Sequence, residues 1–206
     1  METGYIGIKF ATQKLGTRVP NDPRLERLKY WCGIFDKNKL APPYEGGSFG
    51  NLSFRVEREK NTLIITASQS GLGESTEDDC FVTVPKIDFE KGIVYAIGIR
   101  NPSSEVMVHY AIYCARPEIQ AIFHGHCSQI SRNANKMGIP TTLKEEPYGT
   151  VALVERVLEI LGNNSFLEMR NHGFLSLGGS LDEAGNRALK FLKKCKPEKK
   201  NDQRQQ

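Results

Sequence analysis

The chain has 206 residues, enough for one domain or at most two small ones. Of its 28 basic and 24 acidic residues, seven basic but only two acidic ones lie within residues 190–206, so the rest of the chain is close to neutral. This distribution argues against a nucleic-acid-binding domain, which needs a basic face on the fold itself.

The first half of the chain predicts one helix followed by closely spaced strands. Asp22 is suited to cap a helix and Pro23 to its first position, and the apolar spacing that follows predicts a helix over residues 23–37. Glycine and proline indicate a loop over residues 41–50. The predicted strands are residues 52–56, 63–66, 81–84 and 93–97. Their short separation predicts hairpins and an antiparallel sheet.

The second half predicts helices alternating with strands. The predicted helices are residues 104–115, 128–137, 150–161 and 181–194, and the predicted strands are residues 121–124, 166–169 and 174–177. Pro117 ends the first of these helices, and Ser180 can cap the last. We therefore predict one α/β domain over residues 21–195, an N-terminal extension at residues 1–20 and a basic, disordered tail at residues 196–206.

The cysteines and the hydropathy indicate a cytoplasmic protein. No apolar run reaches about 18 residues, and the N-terminus lacks the basic and apolar regions of a secretory signal. The five cysteines are scattered, odd in number and never in a C-x-x-C pair, so they predict reduced thiols rather than a disulfide framework.

Two of the four histidines, His124 and His126, end a predicted strand with one glycine between them. Side chains at i and i+2 of a strand point to the same side, about 6.6 Å apart along the chain, so both rings can converge on one metal ion. His172, in a turn between two predicted strands, can complete a three-histidine zinc site. Ordinary polar roles at a strand end and in a turn also explain these residues. Cys127 is a weaker candidate ligand, because it should point to the other face of the strand.

Glu105 and His109 lie one helical turn apart at the start of a predicted helix. Ser103 or Ser104 can cap that helix, and an acid in its first turn needs no further role. His109 can orient Glu105 or simply cover the helix surface. The glycine-rich loop at residues 46–53 would let main-chain N–H groups approach an anion, although it has no P-loop motif and is also consistent with a simple turn.

Five short motifs follow one another along the chain. They are Gly50-Asn51-Leu52-Ser53, Ile65-Thr66-Ala67-Ser68, Pro102-Ser103-Ser104-Glu105 with His109, Arg116-Pro117 leading to His124-x-His126, and Asn171-His172-Gly173. In this order they resemble the class II aldolase/adducin family, from about residue 25 to about residue 195. The resemblance implies an α/β fold, a three-layer α/β/α sandwich with a central, mainly antiparallel sheet. It also implies a homotetramer with active sites between neighbouring subunits.

The same resemblance implies roles for individual residues. It implies that His124, His126 and His172 hold one zinc ion per subunit, and that Glu105 is the acid/base carboxylate. The positions that match the family's substrate phosphate ligands are Asn51, Ser68, Ser103 and Ser104. His109 and Tyr148 are further candidates beside the metal.

The chain also departs from the family pattern. Gln69 stands where the second phosphate loop usually has glycine, and its bulk bears on the shape of the phosphate pocket. Residues 141–146 contain no counterpart of the tyrosine that fuculose aldolases use as a proton donor. Tyr148 matches a different family tyrosine, and either replaces that donor or packs. A further aldolase tyrosine, in a C-terminal extension, is replaced by the basic tail.

These motifs leave three functions open. The first is a zinc-dependent, aldolase-type lyase that cleaves a phosphorylated ketose, similar to fuculose 1-phosphate, to dihydroxyacetone phosphate and an aldehyde. The second is a sugar-phosphate 4-epimerase or a methylthioribulose-1-phosphate dehydratase on the same zinc scaffold. The third is a non-catalytic, adducin-like module, which the complete set of Glu105 and three histidines disfavours. We expect a phosphorylated sugar as partner, and neither nucleic acid nor membrane, because a short basic run is usually a solvated end.

Overall fold

The computed structural model of the chain describes residues 9–195. The predicted tail at residues 196–206 lies outside the described residues, as do residues 1–8 of the predicted extension. No helix between residues 9 and 195 is long and apolar enough to cross a membrane. All five cysteines lie in this range and are free thiols, so the predicted absence of a disulfide framework is confirmed.

The described chain forms five α-helices and ten strands, and six of the strands lie between the first two helices. The α-helices are α1 (Leu25–Lys37), α2 (Val106–Ala115), α3 (Ser128–Asn133), α4 (Val151–Leu161) and α5 (Leu181–Lys194). The strands are β1 (Ala11–Gly16), β2 (Pro43–Tyr44), β3 (Gly47–Ser48), β4 (Gly50–Arg55), β5 (Leu63–Thr66), β6 (Phe81–Asp88), β7 (Ile93–Ile97), β8 (Ala121–Gly125), β9 (Phe166–Met169) and β10 (Gly173–Gly178). A short 3₁₀ helix precedes β6.

Eight strands form one sheet in the order β1-β7-β6-β5-β4-β8-β10-β9. Neighbouring strands are antiparallel except β1 and β7, which are parallel. Strands β2 and β3 form a separate hairpin. The predicted, mainly antiparallel central sheet is therefore confirmed.

Helices cover both faces of the sheet and give the predicted three layers. On one face, α2 and α4 enclose a core that includes Ile122 and Leu175. On the other face, α1, α3 and α5 enclose a second core that includes Phe123 and Phe174. Successive residues of β8 and β10 enter opposite cores, because side chains alternate across a strand.

The ends of three predicted helices show where local signals hold. Ser180 Oγ accepts a hydrogen bond from Glu183 N at 3.1 Å, which confirms the predicted cap of α5. The helix predicted from residue 23 begins at Leu25, because Asp22 accepts the main-chain N–H of Arg24 in the preceding turn. The helix predicted over residues 128–137 ends at Asn133 and continues as turns.

Two predicted irregular segments contain strands. Residues 41–50, predicted as a loop, include the β2–β3 hairpin. Strand β1 lies within residues 1–20, which the sequence placed in an extension outside the domain, yet it pairs along β7 at the edge of the sheet. Most β1 residues are exposed, so their sequence shows no alternation of buried and exposed positions.

Candidate metal centre

Three strands bring the candidate residues together at one end of the sheet. Asn51 on β4 faces His124 on β8, and Gly125 pairs with both Gly50 and Phe174 of the flanking strands. A Cβ on Gly50, whose φ is +105°, would lie 2.7 Å from the His124 carbonyl oxygen. Because glycine tolerates this φ and leaves that space free, β4 can approach β8 closely at the site.

Four side chains converge at this end of the sheet. The ligating atoms of Glu105, His124, His126 and His172 all lie within 4.8 Å of one another. His124 Nε2 lies 2.9 Å from His126 Nε2 and 2.8 Å from Glu105 Oε2. His172 Nε2 lies 2.7 Å from Glu105 Oε1. The structure therefore brings the three predicted metal ligands and the predicted acid/base carboxylate into one cluster.

A hydrogen bond made by Nδ1 of His124 determines that Nε2 of this ring faces the cluster. His124 Nδ1 lies 2.9 Å from the Phe174 carbonyl oxygen, and a carbonyl can only accept, so Nδ1 carries the proton. The Nε2 lone pair of neutral His124 then faces the Glu105 carboxylate, which is also an acceptor. Acceptors this close require a shared proton or a cation between them. Three imidazole nitrogens and one carboxylate are a suitable donor set for zinc or a similar divalent ion.

The buried carboxylate and the imidazoles shift one another's pKa values in the cluster. Burial alone would raise the pKa of Glu105, but His124 and His172 lower it well below its usual range. Burial opposes protonation of His172, yet its ion pair with Glu105 raises the pKa of its ring. Burial lowers the pKa of His126 well below its ordinary value. Glu105 therefore favours its anionic form and His126 its neutral, metal-binding form, whereas His172 would release its proton when it binds a metal.

The two serine-bearing segments run side by side next to Glu105. Ser68 N donates to the Asn101 carbonyl oxygen at 2.9 Å, and Ser103 N donates to the Thr66 carbonyl oxygen at 3.1 Å. Ser103 is buried, whereas Ser68 and Ser104 are half-buried. The predicted phosphate ligands of these two segments are thus neighbours in space.

Two other residues considered for the phosphate pocket have local roles. Asn51 Nδ2 donates to Glu105 Oε2 at 2.9 Å, so the amide orients the carboxylate. Gln69 has φ +55°, which is a left-handed conformation that favours glycine, and its side chain is exposed. Ser103 Oγ accepts a hydrogen bond from Glu105 N at 3.4 Å in the turn before α2, and the helix itself begins after Glu105.

His109 and Tyr148 lie on either side of the cluster. His109 is fully buried, and its Nδ1 lies 2.7 Å from Ser53 Oγ, so the ring bonds Ser53 rather than the Glu105 carboxylate. Burial lowers the pKa of His109 to about 3, so it stays neutral. The Tyr148 ring lies 6.5 Å from the His172 ring, and Lys9 Nζ lies 4.7 Å from the Tyr148 ring centre.

Sequence reasoning missed two residues near the centre. Phe49 is 40% exposed, and its ring lies 5.2 Å from the His126 ring. Glu168 on β9 is 2% exposed and pairs with Phe174, on the face of the sheet opposite to the cluster. Neither has a sequence signal of its own, since both depend on contacts between distant segments. Cys127, the weaker candidate ligand, packs against the second core, which α1, α3 and α5 enclose, as predicted from the strand geometry.

Comparisons with known proteins agree with this geometry. The profile of the family described as the class II aldolase and adducin N-terminal domain matches residues 40–197. An L-fuculose phosphate aldolase of Methanococcus maripaludis is 31% identical over 155 residues, covering 68% of this chain and 78% of the relative. A methylthioribulose-1-phosphate dehydratase of Microcystis aeruginosa is 37% identical over 101 residues, 46% of each protein. A solved L-fuculose 1-phosphate aldolase shares the fold, with a TM-score of 0.69 at 23% identity, covering 86% of this chain and 84% of that one.

Proposed function

The chain belongs to the class II aldolase and adducin family, and from that premise we propose that it is a zinc-dependent lyase. It cleaves a phosphorylated ketose, similar to fuculose 1-phosphate, to dihydroxyacetone phosphate and an aldehyde. The observation that supports this is the cluster of three imidazoles and one carboxylate within 4.8 Å. A non-catalytic, adducin-like role would leave this complete set of buried and half-buried ligands without a purpose.

Each member of the cluster has a proposed part in the reaction. His124, His126 and His172 would hold the ion, and His124 is fixed in the required tautomer by the Phe174 carbonyl. When bound, a divalent ion supplies Lewis-acid stabilisation for the negative charge that develops on the ketose oxygen. Glu105 is ionised and buried, so its carboxylate can accept a proton from the substrate and return it to the product. Asn51 holds that carboxylate in orientation through its amide.

The phosphate would bind beside Glu105, at the paired segments around Ser68 and Ser103. Main-chain N–H groups and hydroxyls can hold a phosphate there without a buried cation. We propose Ser68, Ser103 and Ser104 as direct ligands. Asn51 is proposed as a fourth ligand, through the second N–H of the amide that already donates to Glu105. The homotetramer and the cytoplasmic location stay predictions, and sedimentation of the purified protein would test the former.

Dehydration of a phosphorylated ketose is the second candidate. Residues 141–146 contain no tyrosine, so a lyase of the fuculose type lacks its expected proton donor here, whereas Tyr148 remains near His172. Similarity to a dehydratase in part of the chain points the same way. The two reactions differ in their products, because only the lyase releases dihydroxyacetone phosphate.

Elemental analysis and product detection test the proposal. We expect about one zinc per chain in the purified protein. His126→Ala should give a folded protein with little zinc, whereas Cys127→Ala, whose side chain lies in the other core, should keep it. Dihydroxyacetone phosphate formed from ketose 1-phosphates supports the lyase, and product without carbon–carbon cleavage supports the dehydratase. Equal zinc content in His126→Ala and the parent protein would refute the metal assignment.

A further inference from the structure

Lys9 lies beside the proposed phosphate-binding segment although it is far from it in sequence. A Cβ on Gly149 would lie 2.9 Å from the Ser104 carbonyl oxygen and 3.6 Å from Lys9 Cβ. Lys9 Nζ lies 4.7 Å from the ring centre of Tyr148, and that ring lies 6.5 Å from the His172 ring. Gly149 therefore lies between Lys9 and the Ser104 carbonyl, and Tyr148 lies between Lys9 and His172.

The main chain at Lys9 is held in place by its neighbours. Phe10 is buried in the α2-side core, and Ala11 N donates to the Gly92 carbonyl oxygen at 2.9 Å. Strand β1 continues along β7 from there. The lysine stem is exposed and can rotate, so its ammonium can turn from the Tyr148 ring towards Ser104 without a backbone change.

A cation beside the proposed pocket would strengthen phosphate binding. The four proposed phosphate ligands are neutral side chains, so they supply hydrogen bonds but no positive charge to a phosphate group. Two cations near the Ser103 segment, Arg100 and Lys14, are already engaged. Arg100 pairs with Asp79 at 2.9 Å, and Lys14 donates to the carbonyl oxygens of residues 98–100.

Among the described residues, Lys9 is a cation without a carboxylate partner. Between residues 9 and 195 it makes no ion pair with a carboxylate, and its described contact is the Tyr148 ring. An exposed cation–π contact is weak, so leaving it for a phosphate oxygen costs little.

We propose that Lys9 is a substrate-binding residue, whose ammonium pairs with the anionic phosphate group of the substrate at the Ser104 segment. The proposal rests on the phosphate site proposed above. It extends that site to the residues just before β1, and it adds one positive charge to a set of neutral ligands.

Inorganic phosphate is the probe that tests this independently of turnover. The melting temperature of the zinc-loaded full-length chain is measured against phosphate concentration, with chloride added to keep the ionic strength constant. Ligand that binds the folded state raises the melting temperature. We expect Lys9→Met to raise the half-maximal phosphate concentration by about fivefold, typical of one partly exposed charge pair. Lys9→Arg should retain near-parental values, because it keeps the charge.

A matched control separates this effect from a general change of charge. Lys190→Met removes an exposed lysine from α5, on the other face of the sheet, and should leave the phosphate response unchanged. With a ketose phosphate that the enzyme turns over, Lys9→Met should raise KM by a similar factor and leave kcat unchanged.

Three results would overturn the role of Lys9. They are a parental phosphate response in Lys9→Met, a response in Lys9→Arg as weak as in Lys9→Met, and no phosphate response in the parent protein. The absence of any ketose phosphate conversion, with a phosphate response that still depends on Lys9, would instead refute only the proposed reaction.

Discussion

Replacement of Glu168 tests whether a buried carboxylate behind the metal centre destabilises the fold. Glu168 is 2% exposed, and neither of its side-chain oxygens has a donor in hydrogen-bond geometry among the described residues. Burial raises the pKa of its carboxyl, although the nearby Ser131 hydroxyl, which donates instead to the Cys127 carbonyl oxygen, and His124 and His172 partly oppose the shift. The folded protein therefore binds this proton more tightly than the unfolded chain does.

The sign of the pH dependence follows from that shift. The protonated Glu168 carboxyl contributes its full stabilisation below the pKa that it has in the unfolded chain, about 4.3. This stabilisation is lost as the pH rises through the higher pKa that the carboxyl has in the folded protein. Each unit of rise corresponds to about 1.4 kcal/mol, and a buried polar group without a partner costs about 1–3 kcal/mol. Glu168→Gln keeps the shape and cannot ionise. The free energy of unfolding of Glu168→Gln should exceed that of the parent protein by about 1–3 kcal/mol at about pH 8. At about pH 4 the two free energies of unfolding should be nearly equal.

Urea unfolding of both proteins at the two pH values measures this difference. The metal is removed by a chelator in every sample, so that ligand titration affects both proteins alike. Glu90→Gln, which replaces an exposed carboxylate after β6, is the control and should show no gain at either pH. A gain for Glu168→Gln that is the same at both pH values, or a loss at high pH, would refute the reasoning.

Three further changes probe the site and the fold. Gly173→Ala would place a Cβ 2.4 Å from the Gly125 carbonyl oxygen and 2.9 Å from His124 Cε1. It should therefore lower the free energy of unfolding in denaturant by about 1–3 kcal/mol and lower the zinc content. Full zinc content in this variant would contradict the prediction. Removing zinc should lower the melting temperature, and restoring zinc should reverse this change. Zinc at a hundredfold excess over its Kd stabilises the folded state by about 2.7 kcal/mol. An unchanged melting temperature would argue against a bound ion. Ser180→Ala removes the acceptor of Glu183 N and should cost about 1 kcal/mol, whereas Ser180→Asp should keep the cap; equal losses in both would show that the cap contributes nothing.

Local signals predicted those elements whose ends and buried faces are encoded nearby. Helix α5 has its cap at Ser180, acids in its first turn and an apolar face, and its bounds agree with the prediction. Strand β1 has none of these signals, because as an edge strand it exposes most of its side chains. Its pairing with β7, about eighty residues later, determines that it is a strand.

The site was predicted through motif order, because its members come from segments far apart in sequence. His124 and His172 meet because β8 and β10 are neighbours in the sheet, which no local pattern encodes. Lys9 and Phe49 lie outside the motif residues that suggested chemistry. Their nearness to the centre arises from β1 and from the β2–β3 hairpin, which the sequence did not predict.

Strand β4 and helix α2 explain how Glu105 is held at the centre. Alternate residues of β4 contact three residues that are four positions apart: Glu105, which directly precedes α2, and two residues within that helix. Asn51 Nδ2 donates to Glu105 Oε2 at 2.9 Å, Ser53 Oγ lies 2.7 Å from His109 Nδ1 and 2.8 Å from Tyr113 Oη, and Arg55 Nη2 donates to the Tyr113 carbonyl oxygen at 2.5 Å. All these groups are buried.

The two periods match, which lets a strand and a helix form a continuous ladder. Two residues of a strand advance about 6.6–6.8 Å, and four residues of a helix advance about 6.0 Å, so three successive contacts stay in register. The fully buried Arg55 contacts the last turn of α2, and Ser53 contacts the middle of the helix. Asn51 contacts the Glu105 carboxylate just before the first turn. The helix is therefore fixed along its axis, and with it the height of Glu105 above the histidines. This accounts for a neutral, fully buried His109 that makes no side-chain hydrogen bond to Glu105, because its part in the site is to hold the helix that carries the carboxylate.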